Sequence, residues 1–135
     1  MLESGVDVLV LAALENQITK DNANTIKAKI ILEMANAPIT PKADAVLEEK
    51  GILIIPDILA NAGGVVASYF EWMQNLSGEV WNKEKSEAEL KRIMLNALKS
   101  LDKICGHEKC VMRQSFYILG VNRILEAEKL RGNIS

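Results

Sequence analysis

Three short stretches of this chain concentrate alanine, asparagine and glycine: Ala12-Ala13-Leu14-Glu15-Asn16, Met34-Ala35-Asn36-Ala37-Pro38, and Asp57-Ile58-Leu59-Ala60-Asn61-Ala62-Gly63-Gly64. Small side chains let a flat ligand approach the backbone, and an asparagine amide offers both a donor and an acceptor. For any one stretch, capping and turning would account for the composition, because Asn and Asp dominate turns. Three of them, each following an apolar run, point to one binding rim. In Asn61-Ala62-Gly63-Gly64-Val65 the two glycines stand where a helix would open. That leaves the first backbone N–H groups free to meet a carboxylate or another anion. Ser68, on the helix beyond, could donate a hydrogen bond toward the same opening. Close helix–sheet packing would also call for glycine here.

A second cluster is Cys105-Gly106-His107-Glu108-Lys109-Cys110, two thiols around the single histidine. A structural zinc site wants four ligands at regular spacing, and no second His/Cys cluster completes this one. The simpler reading is a helix-to-helix turn broken at Gly106, with no metal. No P-loop or nucleophile elbow is present, and the glycines cannot be arranged as G-x-G-x-x-G. The residues therefore offer binding groups and no catalytic set.

The 135 residues amount to one domain, 49% hydrophobic and 25% charged, with a formal charge of -2. That composition excludes a disordered chain. The slightly acidic balance argues against nucleic-acid binding, and no apolar run spans a bilayer. The start, Met1-Leu2-Glu3-Ser4-Gly5-Val6-Asp7, lacks the features of a signal peptide, so a cytoplasmic location is expected.

These residues need elements to position them. Asp7–Leu11 reads as a strand buried on both faces, with further strands at Lys29–Glu33 and Ile52–Ile55. A short helix capped by Thr19 or Asp21 is expected through Ala28. A second, capped by the Thr40 hydroxyl and opening at Pro41, runs to Lys50, with Gly51 in the left-handed terminal position. Strand, helix, strand, helix, strand implies a three-stranded parallel sheet, half of a doubly wound α/β domain, over residues 1–60. Residues 61–135 read as long C-terminal helices. Val65, Tyr69, Trp72, Met73 and Leu76 fall on one face of the first. The second follows a Ser86–Glu89 capping box. The last, about Met112 to Leu130, is apolar on more sides than this chain is expected to cover.

Three longer segments carry a resemblance. They are Ala12-Ala13-Leu14-Glu15-Asn16-Gln17-Ile18-Thr19, the run from Glu33 through Asn36-Ala37-Pro38-Ile39-Thr40-Pro41 to Asp44, and Ile55 through Asn61-Ala62-Gly63-Gly64 to Ser68-Tyr69-Phe70-Glu71-Trp72. With Tyr117-Ile118-Leu119 and Leu130-Arg131-Gly132, they resemble the glutamate dehydrogenase family; leucine and phenylalanine dehydrogenases share its architecture. The resemblance implies a partial Rossmann-like, dinucleotide-binding domain and the oxidative deamination of L-glutamate to 2-oxoglutarate with NAD or NADP. It places Ala12, Ala13, Ala35, Asn36 and Asn61 at the cofactor. By the same resemblance, Ala35 and Asn36 would approach the nicotinamide and its ribose, Asn61 would face the nicotinamide end, and Val65 and Ser68 would reach the substrate, the serine meeting its distal carboxylate.

Two positions depart from the family pattern, Met34 standing for glycine and Leu11 for proline. The substrate domain with its catalytic lysines and aspartate has no counterpart in these residues, nor has the strand bearing the dinucleotide fingerprint. The expectation is the C-terminal part of such an enzyme, inactive alone. Its partner would be the missing N-terminal substrate domain, a complementary chain or further copies of itself. The alternative is a non-catalytic nucleotide-binding, regulatory or oligomerisation module of the same fold.

Overall fold

The computed structural model describes residues 1–108 and 112–134, residues 102–108 by backbone alone. Its elements are β1 (Val8–Leu11), a 3-10 turn (Ala23–Thr25), β2 (Ile30–Glu33), α1 (Pro41–Glu49), β3 (Leu53–Ile55), α2 (Asp57–Ala60), α3 (Ala62–Ser77), α4 (Lys83–Glu108) and α5 (Met112–Leu130). They form two compact units, Met1–Val65 and Val66–Ser135. Among the described residues no helix is long and apolar enough to cross a membrane.

The first unit is the expected three-stranded parallel sheet, in the order β1-β2-β3. The register aligns Leu9 with Ile31 and Ile54, and Leu11 with Glu33. On this face Leu11 and Ile31 pack with Ile18, Ala23, Ile26, Ala28, Ile39, Ala43 and Leu47 into one buried core. The opposite face is open. Val8 and Val10, expected to be buried, are 49% and 51% exposed, and Leu53 is 48% exposed. Strands laid down in sequence order place successive right-handed crossovers on the same side, so only that side is covered.

The helix expected before Ala28 is only the 3-10 turn. Asn22 explains why: its Oδ1 accepts from the Thr19 N–H at 2.8 Å and its Nδ2 donates to the Gln17 carbonyl at 2.9 Å. Side-chain bonds of this kind compete with helical ones. Lys50 Nζ then gathers the carbonyls of Ala23, Asn24 and Ile26 at 3.3, 2.7 and 2.7 Å.

Helix α1 starts at Pro41 as expected, but the Thr40 hydroxyl makes no cap; the Thr40 carbonyl instead accepts from the Ala43 and Asp44 amides. At its end Gly51 has φ 72°, with Gly51 N–H donating to Glu48 and Ile52 N–H to Leu47. This is the paired-bond motif that left-handed glycine permits. Two non-glycine residues are also left-handed, Asn16 (φ 53°) and Ala37 (φ 45°).

In the second unit α4 and α5 pack together, with Leu101, Ser115 and Phe116 buried. The cap of α4 is Asn82 rather than Ser86: Asn82 Oδ1 accepts from the Lys85 N–H at 2.9 Å, and the Ser86 hydroxyl donates to the Asn82 carbonyl. Asparagine is at least as good a cap as serine, and starting there adds about one turn. Helix α4 also continues through Gly106 to Glu108, since one glycine costs about 1 kcal/mol in a helix that is otherwise favourable. The side chains of Cys105 and His107, and the whole of Cys110, lie outside the described residues. Residue spacing on α3 is as expected but its direction is not: Tyr69, Trp72 and Leu76 are exposed, and the buried side chain is Phe70. The Phe70 ring lies 5.2 Å from that of Trp81. On α5, Tyr117, Val121, Ile124 and Leu125 remain exposed, in line with the surplus of apolar surface read from the sequence.

Three outcomes follow from these contacts. Lys50→Met should lower stability by about 1–2 kcal/mol in urea unfolding, the value of charge-assisted bonds discounted for exposure, while Lys42→Met should stay within about 0.5 kcal/mol. Ala37→Val, a branched residue in left-handed backbone, should destabilise by about 1–3 kcal/mol, against less than about 1 kcal/mol for Ala37→Gly. On α4, the hydrogen bond and charge of Arg92 hold the Glu89 carboxyl below the usual carboxylate range. A depressed folded value means this contribution is present at neutral pH and disappears as pH falls through that value. A carbon-detected NMR titration should show the Glu89 midpoint rising in Arg92→Ala.

Candidate functional site

Parallel strands end at the same edge of a sheet, and such edges are where open α/β sheets bind ligands. Here the three strand ends are joined by specific bonds. The Leu11 carbonyl, last in β1, accepts from both the Met34 and Ala35 N–H groups, at 2.8 and 2.7 Å. That brings Ala12, immediately after β1, beside Ala35, after β2. The Asn16 N–H donates to the Ala37 carbonyl at 2.9 Å, so the two left-handed residues face each other across these loops.

The loop after β2 is tied to the one after β3 in turn. Asn61 Nδ2 donates to Asn36 Oδ1 at 2.7 Å. Glu33, fully buried, accepts the Asp57 N–H on Oε2 at 2.8 Å. Asp57 accepts the Ala37 N–H on Oδ2 and the Ile58 N–H on Oδ1, each at 2.8 Å.

The structure therefore brings Ala12, Ala35, Asn36 and Asn61 together at one edge. Ala13 adjoins Ala12 and is exposed, as are Ala12 and Asn36, while Ala35 and Asn61 are half-buried. Val65 stands in the first turn of α3, 75% exposed. Ser68 follows three residues later on the same helix, exposed, and belongs to the second unit. A Cβ built on Gly64 meets nothing within 4 Å, so close packing is not what glycine serves there. The Gly64 N–H, expected from the sequence to be free for an anion, instead donates to the Asn61 carbonyl at 3.3 Å.

This edge presents side-chain amides and small side chains, with Glu15 exposed in the loop after β1, while the Glu33 and Asp57 carboxylates are turned onto backbone N–H groups. Such a set orients a flat polar group by neutral hydrogen bonds; proton transfer would need other groups. Left-handed, non-glycine backbone at two rim positions is the kind of strain that persists where the surroundings over-determine it.

Sequence reasoning passed over Glu33 and Asp57. The available signal was alternation in β2: Glu33 occupies the inward position two residues after Ile31, and a charge placed there must have internal partners.

Residues 1–132 match the profile of the family described as Glutamate/Leucine/Phenylalanine/Valine dehydrogenase. The chain is 49% identical over 129 residues to an NAD-specific glutamate dehydrogenase of Clostridioides difficile, which accounts for 96% of this chain and 31% of that protein. Among solved structures, glutamate dehydrogenase from Peptoniphilus asaccharolyticus is 43% identical with a TM-score of 0.85, covering 91% of this chain and 31% of its own. The hetero-hexameric glutamate dehydrogenase from Thermus thermophilus, in its Leu-bound form, has a TM-score of 0.92 at 31% identity, covering 99% and 32%. The chain thus spans about a third of the length of these relatives. With a family match over residues 1–132, this chain belongs to the glutamate/leucine/phenylalanine/valine dehydrogenase family.

Proposed function

We propose that this chain is the distal, C-terminal portion of an NAD(P)-dependent glutamate dehydrogenase and carries the nicotinamide-side half of its cofactor site. The observation that carries the reading is the Asn36–Asn61 amide pair, at the joined ends of a parallel sheet, in a chain whose relatives include NAD-specific glutamate dehydrogenases. In this reading the sheet is part of a doubly wound, Rossmann-like domain. When bound, NAD or NADP would supply the hydride acceptor for deamination of L-glutamate to 2-oxoglutarate. The chain's own part is positioning. Ala12, Ala13 and Ala35 leave room for a flat ring to approach the backbone, and Asn36 and Asn61 fix its polar substituents. Val65 shapes the substrate side, and Ser68 donates its hydroxyl to the distal carboxylate of glutamate.

None of these groups is an acid or base suited to the deamination step, so acid–base chemistry falls to another domain. An N-terminal substrate domain or a complementary chain would provide it, together with the strand that cradles the cofactor phosphates. A cytoplasmic location belongs to the same proposal. The uncovered apolar faces of α3 and α5 favour a second reading, a non-catalytic nucleotide-binding or oligomerisation module of the same fold.

Calorimetric titration of NAD into the chain tests the first reading. Weak saturable binding is expected, at least about tenfold weaker in Asn61→Ala, where one good polar contact is lost. Glutamate-dependent reduction of NAD or NADP by the pure chain should be undetectable, and clear turnover would overturn the assignment of acid–base chemistry elsewhere. Absence of heat at millimolar cofactor would count against a preformed half-site.

A further inference from the structure

The carboxylates of Glu33 and Asp57 form a relay that ends at the proposed cofactor rim. Glu33 is fully buried at the end of β2, and its Oε2 accepts the Asp57 N–H at 2.8 Å. That fixes the backbone of Asp57 directly after Pro56. Its Oδ1 is engaged by the Ile58 N–H, which sets the carboxylate plane, and its Oδ2 takes the Ala37 N–H at 2.8 Å. Ala37 is left-handed at φ 45°, a conformation alanine resists and one further disfavoured before a proline, here Pro38. Its peptide groups are held on both sides, the N–H by Asp57 and the carbonyl by the Asn16 N–H at 2.9 Å. Asn36, one residue before, thereby directs its Oδ1 to Asn61 Nδ2 at 2.7 Å.

We infer that Asp57, anchored by Glu33, is the positioning residue of the Asn36–Asn61 amide pair, holding Ala37 in the left-handed conformation that aims one asparagine at the other; its bearing on cofactor affinity rests on the function proposed above. Asp57 does not touch the ligand in this arrangement. Without its Oδ2 the Ala37 N–H loses its partner, the peptide relaxes toward negative φ, and Asn36 swings away from Asn61. The apolar core of Leu11, Ile31 and Leu47 contains neither Asp57 nor Asn36, so the pair can be released without dissolving the sheet.

The test uses the whole chain, 15N-labelled, with NAD as the probe. Asn61 side-chain amide signals should move in Asp57→Ala to the positions they take in Asn36→Ala, while backbone amides of Leu9, Ile31 and Ile54 stay in place. NAD affinity should fall by about tenfold, the effect of one lost polar contact. Asp57→Asn retains one oxygen but turns an NH2 toward one of the two N–H groups, so an intermediate shift is expected; this variant decides the matter if Asp57→Ala fails to fold. Asn61 signals that ignore the Asp57 substitution in the folded protein would overturn the inference, whatever NAD does. A wild-type chain that ignores NAD while its Asn61 amide still responds to Asp57→Ala would sink the cofactor reading and leave the positioning role standing.

Discussion

A charge buried in a small unit has to be met by hydrogen bonds, because a bare carboxylate in a low-dielectric interior is far costlier than any single apolar contact can offset. Glu33 is the buried carboxyl group here. Fully buried at the inward position of the central strand, it forces the chain after β3 to return with a backbone N–H aimed at it, and that N–H is Asp57's. The position of α2 and the entry into α3 at Ala62 follow from this anchor. So does the second carboxylate, which reaches the loop after β2. The rim is thus organised from beneath by two buried or half-buried carboxyl groups accepting from backbone donors. The Asn36 and Asn61 amides it presents are neutral, while Glu15, in the loop after β1, is exposed.

The division matters for binding. In the proposed function, alanines and asparagine amides would let backbone and side chain share the recognition of a flat polar group, with orientation set by amide geometry. Left-handed Asn16 and Ala37, bonded to each other across the first two strand ends, show that the rim is held in a conformation its local sequence would not choose. The surrounding bonds maintain it.

Each unit also leaves apolar surface uncovered. In the first it is the sheet face of Val8, Val10 and Leu53; in the second it is the outward stripe of α3 and much of α5. Contiguous exposed apolar patches are surfaces that commonly meet another polypeptide or a ligand. They agree with a chain that spans about a third of the length of its relatives and, in the proposed function, works with a complementary domain.

The residues by themselves determined the three strands, their parallel arrangement, α1 with its Pro41 start and Gly51 stop, and α5 from Met112 to Leu130. Apolar periodicity, a fixed proline φ and a left-handed glycine act within a few residues of chain, so they are legible there. The rim was legible too, as alanine and asparagine after every strand. What the sequence could not decide was competition between local options. Asn22 took backbone bonds that a helix would have used, Asn82 out-competed Ser86 as a cap, and α4 passed through Gly106. Nor could it decide which faces find cover: the α3 stripe has helical spacing, yet Phe70 is the side chain that goes inside. The Glu33–Asp57–Ala37 relay lay furthest from view. Its members are 20 and 24 residues apart along the chain, and only the packing of strand ends at one edge brings a buried carboxylate, a helix start and a strained alanine into hydrogen-bond range.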